Sequence, residues 1–176
     1  STLSSSSAAS DVYKRQNVIA SVLAERLRGS YKMLHLPDGL SQDSLHMLMT
    51  CEPQIKEIGD LISRTDVLLF GIGTAMRMAD QRHIADDVRK QLVDNHAVGE
   101  ALGQYCDIEG KLIYSTNNIG LSLPDVVKVP NVIAVAGGQE KASAIIGVMR
   151  ACQKGILIID EQAAEGMRQL LQISAL

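Results

Sequence analysis

Three apolar runs of strand length constrain this chain most: "DVLLF" at residues 66–70, "VIAVA" at 132–136 and "GILII" at 155–159. Each is too short for a buried helix and is followed by a segment with helical spacing of apolar residues. Runs rich in Val, Ile and Leu without polar alternation belong to strands covered on both faces, the habit of parallel sheets. Strands alternating with helices predict an α/β domain of three layers, with a mostly parallel sheet.

The connecting segments agree. "NVIASVLAERLRG" places Val18, Ile19, Val22, Leu23 and Leu27 on one helical face and stops at Gly29. "YKMLHLP", residues 31–37, reads as a strand closed by Pro37. Residues 41–64 are helical in two pieces broken by Pro53, with Ile55, Ile58, Leu61 and Ile62 as the buried face of the second. Ile84, Val88 and Leu92 mark one further helix, and Ala142, Ile145, Ile146 and Met149 another. "EQAAEGMRQLLQ" closes the chain as a helix. Between residues 104 and 114 two short strands turn at Asp107–Gly110, an antiparallel insertion or edge. One domain is expected over residues 17–176. Residues 1–16, "STLSSSSAASDVYKRQ", are Ser/Ala-rich and lack apolar periodicity. They are too poor in apolar residues for a secretory signal. They read as a disordered tail or a translated sequencing artefact.

Composition removes several functions. The 176 residues carry a net charge of −3 and no Lys/Arg block, so this chain lacks an electrostatic footprint for nucleic acid. With one Phe, four Tyr and no Trp it offers few platforms for base stacking. No apolar run reaches 18 residues, so no membrane span is expected. Cys51, Cys106 and Cys152 are odd in number and far apart, which fits a reducing, cytoplasmic setting. His35, His46, His83 and His96 show no metal-ligand spacing; neither a metal nor a cofactor is expected.

In open parallel sheets ligands gather at the carboxyl ends of strands. Two such ends are glycine-rich here: Gly71-Ile72-Gly73, and Gly137-Gly138 with Lys141 three residues on. A lysine in the first turn of a helix opposes the helix dipole, so an anion nearby would account for it. The alternative is a tight strand-to-helix turn with a solvated lysine. "GIGTAM" has Met76 at the third glycine position of a dinucleotide fingerprint, and no Walker A lysine follows it. Glu100, set among small residues, is either a surface glutamate or a carboxylate for ligand hydroxyls or proton transfer. Arg77, Gln81 and Arg82 follow the first glycine pair on a helix, where an arginine fork could reach a phosphate. Asp86-Asp87 reads as a solvated helix face.

"LLFGIGTA", "NHAVGEALGQYCDIEGKLI", "VKVPNVIAVAGGQEKASAI" and "GILIIDEQAAEGM" together resemble the effector-binding domain of the SorC family of bacterial transcriptional regulators. The resemblance runs from about Asn17 to Gln172. It implies a NagB/RpiA/CoA-transferase-like fold and a phosphorylated sugar as ligand, fructose 1,6-bisphosphate for the nearest relatives. It implies ligand-responsive operator binding by a tetramer assembled from dimers. It assigns Lys141 to a phosphate and Glu100 to sugar hydroxyls, and puts the family's ligand arginine at Gln81 or, with a small shift, Arg82. Members also carry an N-terminal DNA-binding module, a Gly-Gly-Thr-Thr phosphate loop and an Arg-Gly-Gly loop, none of which is in this sequence; Gln16 lies near a ligand-contacting glutamine. A truncated domain is therefore expected, sensing a sugar phosphate without chemistry, self-associating as a dimer, and touching operator DNA only through an absent module. A sugar-phosphate isomerase or deaminase of the same fold is the rival reading, and a fragment that only oligomerises is the third.

Overall fold

A computed structural model describes residues 18–34, 36 and 40–172. The proposed tail, residues 1–16, lies outside them.

Helix α1 covers residues 18–26. Helix α2 (Gln42–Cys51) is capped by Ser41, whose hydroxyl accepts from the Ser44 N–H at 3.1 Å. Pro53 opens α3 (Pro53–Ser63) at the first helical position, where its missing N–H costs nothing. β1 (Val67–Gly71) leads to a two-residue β2 (Gly73–Thr74), then α4 (Ala75–Gln81) and α5 (Asp86–Asp94). β3 (Gly99–Ala101), β4 (Gln104–Cys106) and β5 (Leu112–Ser115) follow. A 3-10 turn (Leu123–Lys128) then precedes β6 (Asn131–Ala136). A short 3-10 turn (Gln139–Lys141), α6 (Ala142–Cys152), β7 (Ile156–Ile159) and α7 (Glu161–Leu170) complete the order.

The three apolar runs form one parallel sheet in the order β1-β6-β7, as their composition predicts. The antiparallel part is larger than the sequence suggests: β2-β3-β4-β5 make a four-stranded sheet of their own. The expected hairpin at Asp107–Gly110 joins β4 to β5. A second, β3–β4, turns through Leu102-Gly103, both at positive φ (55° and 78°). Leucine is disfavoured there, so the dipeptide carries no hairpin signal in sequence.

Helix α6 fills the crevice between the sheets. Ala144, Ile145, Val148 and Cys152 are fully enclosed and share one core with Phe70, Ile72, Ala101, Cys106, Val132, Ala134 and Leu123. Close approach to the antiparallel sheet needs small residues. A side chain on Gly99 would lie 2.8 Å from the Ala144 carbonyl oxygen, and one on Gly147 would run into the Asp107 carbonyl. Burial pushes the Cys106 and Cys152 thiols up to about 12 and about 11, so both are inert core groups.

Three expectations fail. The described residues of 31–37 form no strand. The apolar stripe of α1 is exposed, Leu27 by 72%, and α3 buries its face only in part, with Leu61 exposed. The parallel sheet is covered by described residues on one face; Val67, Leu69, Val135, Ile156 and Ile158 stand exposed on the other. An apolar run shows that a strand avoids water but cannot show which element covers it.

Gly147→Ala should destabilise the fold by about 1–3 kcal/mol, the usual penalty for overpacking. Gly120→Ala should be near neutral, since its nearest contact would be Asn118 Oδ1 at 3.4 Å. Urea denaturation of both variants checks this.

Candidate functional site

The carboxyl ends of the parallel strands collect the residues marked in sequence. β1 ends at Gly71, β6 at Ala136 just before Gly137-Gly138, and β7 at Ile159 just before Asp160. From Gly71 the chain crosses to the second sheet, where Gly73 pairs with Glu100. β2 lies against the Gln139–Lys141 turn. Gly71, Gly73, Glu100 and the Gly137–Lys141 turn therefore share one end of the molecule.

Glu100 is not a surface glutamate: it is 3% exposed. Its Oε1 accepts from the Gly103 N–H at 2.7 Å and from Arg82 Nη2 at 3.2 Å. The first bond closes the Leu102-Gly103 turn, so the carboxylate also holds its own hairpin. Burial pushes its carboxyl above the ordinary value, while the Arg82 guanidinium and the Gly103 N–H pull the other way. Arg82 rather than Gln81 makes this pair; Gln81 is half-buried at the end of α4 and Arg82 is its C-cap. Arg82 Nε and the enclosed Tyr105 hydroxyl have no hydrogen-bond partner among the described residues. The charges of Glu100 and Arg82 both act on the Tyr105 phenol, placing all three groups in one buried patch.

The second half is the turn after β6. Gly138 has φ 95°, a conformation L side chains rarely adopt. The Lys141 N–H donates to the Gly138 carbonyl at 3.1 Å, and Lys141 then caps α6. A side chain on Gly137 would lie 2.7 Å from Asp160 Oδ2. The Gly138 N–H, which the anion reading offers to a ligand, donates instead to the Asp160 carboxylate. Asp160 escaped the sequence reading, although a carboxylate between an apolar strand and a helix is a recognisable N-cap signal. Gly71 is exposed, and a side chain there would meet only the Val135 carbonyl, at 3.9 Å. Space therefore does not demand a glycine at that position. Asp86 and Asp87 are exposed in the first turn of α5, as expected.

A cleft of about 210 Å³ lies elsewhere, between α2 and the β4–β5 hairpin, lined by Gln104, Ser115, Thr116 and Asn118 among others. None of the marked residues borders it. Its buried amide, Gln104, is engaged: Oε1 accepts from the Leu123 N–H at 2.6 Å and Nε2 donates to Ser115 Oγ at 3.2 Å.

Because Glu100 is protonated more readily folded than unfolded, its contribution to stability falls as pH rises through the window above its ordinary value. Arg82→Ala removes an influence that lowers this pKa, extending the window upward. The variant should lose about 3–5 kcal/mol near neutrality, as for any broken buried pair, and less in mildly acid buffer. Urea denaturation at both pH values checks this; equal losses would contradict it.

Known proteins resemble this chain in sequence and fold. Residues 3–169 match the family of sugar-binding domains. The chain is 36% identical over 155 residues to the central glycolytic genes regulator of Bacillus subtilis, and 37% identical over 155 residues to that of Priestia megaterium. Each match covers 88% of this chain and 45% of the relative, so the chain spans about half the length of these relatives. A SorC family transcriptional regulator from Enterococcus faecalis superposes with a TM-score of 0.78 at 38% identity, over 86% of this chain and 61% of that one. The full-length sorbitol operon regulator SorC of Klebsiella pneumoniae shares the fold, with a TM-score of 0.71 at 22% identity over 86% and 49%. The chain superposes on both structures over most of its length, and it belongs to the family of sugar-binding domains.

Proposed function

We propose that this domain senses a phosphorylated sugar for a transcriptional repressor. The observation that carries the reading is that β2, which pairs with β3 at Glu100, lies against the turn that carries Lys141. Lys141 supplies a full positive charge behind the Gly137-Gly138 turn. Glu100, held by Arg82, supplies a carboxylate on β3, on the other side of β2. A phosphate with adjacent hydroxyls matches that pair, because a cation recognises the first and an acceptor the second. Gln81 at the end of α4, the exposed Gly71, and Gly73, packed against Met78 beside Glu100, complete the proposed contacts. Similarity to central glycolytic genes regulators favours fructose 1,6-bisphosphate. In this reading operator contact belongs to another part of the regulator, since this chain has net charge −3 and no basic stripe.

The enzyme reading is weaker. General acid–base chemistry needs a second proton-exchanging group placed with the base, and the hydrogen-bond partners of Glu100 are the Arg82 guanidinium and the Gly103 N–H. Lys141→Ala should weaken fructose 1,6-bisphosphate binding roughly tenfold to a hundredfold, the value of one charge-assisted contact, and leave thermal stability nearly unchanged. Calorimetric titration and a melting curve check this. Equal affinity would leave the turn a structural element, and turnover of fructose 6-phosphate would favour the enzyme.

The exposed apolar face of the parallel sheet supports self-association, as a dimer of this chain and a tetramer in the full regulator. Ile158→Lys should shift the chain toward monomer in sedimentation; an unshifted distribution would place the contact elsewhere.

A further inference from the structure

The Gly137–Lys141 turn already holds an anion from its own chain. Asp160, at the carboxyl end of β7, reaches Gly138 across 22 residues of sequence: Oδ2 lies 2.9 Å and Oδ1 3.1 Å from the Gly138 nitrogen. Oδ1 also accepts from the Ala163 N–H at 2.8 Å, capping α7. One carboxylate thus ties the turn to the helix start. The far end of the turn is fixed by the Lys141-to-Gly138 bond, and its middle rests on Gly166 of α7, where a side chain would lie 3.1 Å from the Gln139 carbonyl oxygen. The Ala163 and Gly138 N–H groups hold the Asp160 carboxyl below its ordinary value, and the Lys141 charge adds to this, so the ammonium lies within electrostatic reach. Displacing the carboxylate would uncap α7 as well as free Gly138, which argues that it stays when a ligand arrives.

We propose that Asp160 is a positioning residue of the sugar-phosphate site: it occupies the one N–H of Gly138 and locks the turn, so that the phosphate is held by the Lys141 side chain and not by the Gly138 backbone. The assignment rests on the sugar-phosphate reading above and adds a residue to it.

Three variants separate the parts of this role. Asp160→Ser keeps a good N-cap for Ala163 but is too short to reach Gly138. Asp160→Asn keeps an oxygen in the same place, and Asp160→Ala removes both contacts. Amide exchange at Gly138, followed by NMR without ligand, should accelerate in Asp160→Ser and Asp160→Ala and stay slow in Asp160→Asn. In calorimetric titrations with fructose 1,6-bisphosphate, Asp160→Ser should bind about tenfold more weakly at unchanged melting temperature, and Asp160→Asn within about threefold of the parent. In a Lys141→Ala background, Asp160→Ser should have no further effect, because it acts through Lys141. Unchanged Gly138 exchange would overturn the clamp. Equal or tighter binding by Asp160→Ser, or the same loss without Lys141, would overturn the positioning role alone. A parent chain that takes up no fructose 1,6-bisphosphate would overturn the sugar-phosphate reading and this assignment with it.

Discussion

Everything at the carboxyl end of this fold depends on the seating of α6 between the two sheets. The helix starts at the turn that carries Lys141 and, one turn later, presses the Ala144 backbone against Gly99, the neighbour of Glu100. The distance between the cation and the carboxylate is therefore set by one turn of helix and one close backbone contact. Ile145, Val148 and Cys152, fully enclosed, supply the apolar burial that holds the helix there. With a single Phe in the chain, this core relies on aliphatic packing, and small residues at contact points substitute for aromatic bulk.

Around that helix the polar groups are arranged in closed sets. Glu100, Arg82 and the Leu102-Gly103 turn form one; Asp160, Gly138 and the start of α7 form the other. In each, a carboxylate satisfies backbone N–H groups and sits near a cation. The buried Glu100 carboxylate would be costly without such partners, so its hydrogen bonds also let it stand where it does. Among the described residues Arg82 Nε and the Tyr105 hydroxyl lack a hydrogen-bond partner, and both belong to the buried patch around Glu100.

The parallel sheet is asymmetric. Its inner face is packed by Phe70, Val132 and Ala134, and its outer face shows Val67, Leu69, Val135, Ile156 and Ile158. An exposed apolar sheet face is unusual, and faces of this kind serve as contact surfaces. The exposed stripe of α1 has the same character.

The sequence by itself determined the three parallel strands, the β4–β5 hairpin and most of the helices, but not β2, β3 or the conformation of residues 31–34. Continuous Val/Ile/Leu runs favour strands, Pro53 cannot continue the helix before it and opens the next, and Gly137-Gly138 permits a turn that other residues resist. It also marked Glu100 and Lys141, because a carboxylate among small residues and a lysine at a helix start are locally out of place. Only the tertiary structure decided what those residues touch. The Glu100–Arg82 pair spans 18 residues and the Asp160–Gly138 contact 22, and both exist because sheet order brings strand ends together. Choosing Arg82 over Gln81, giving the Gly138 N–H to Asp160 and leaving one sheet face open are outcomes of packing across the chain. Local propensity carries no information about them, since the energy of each contact belongs to a pair of residues rather than to either one.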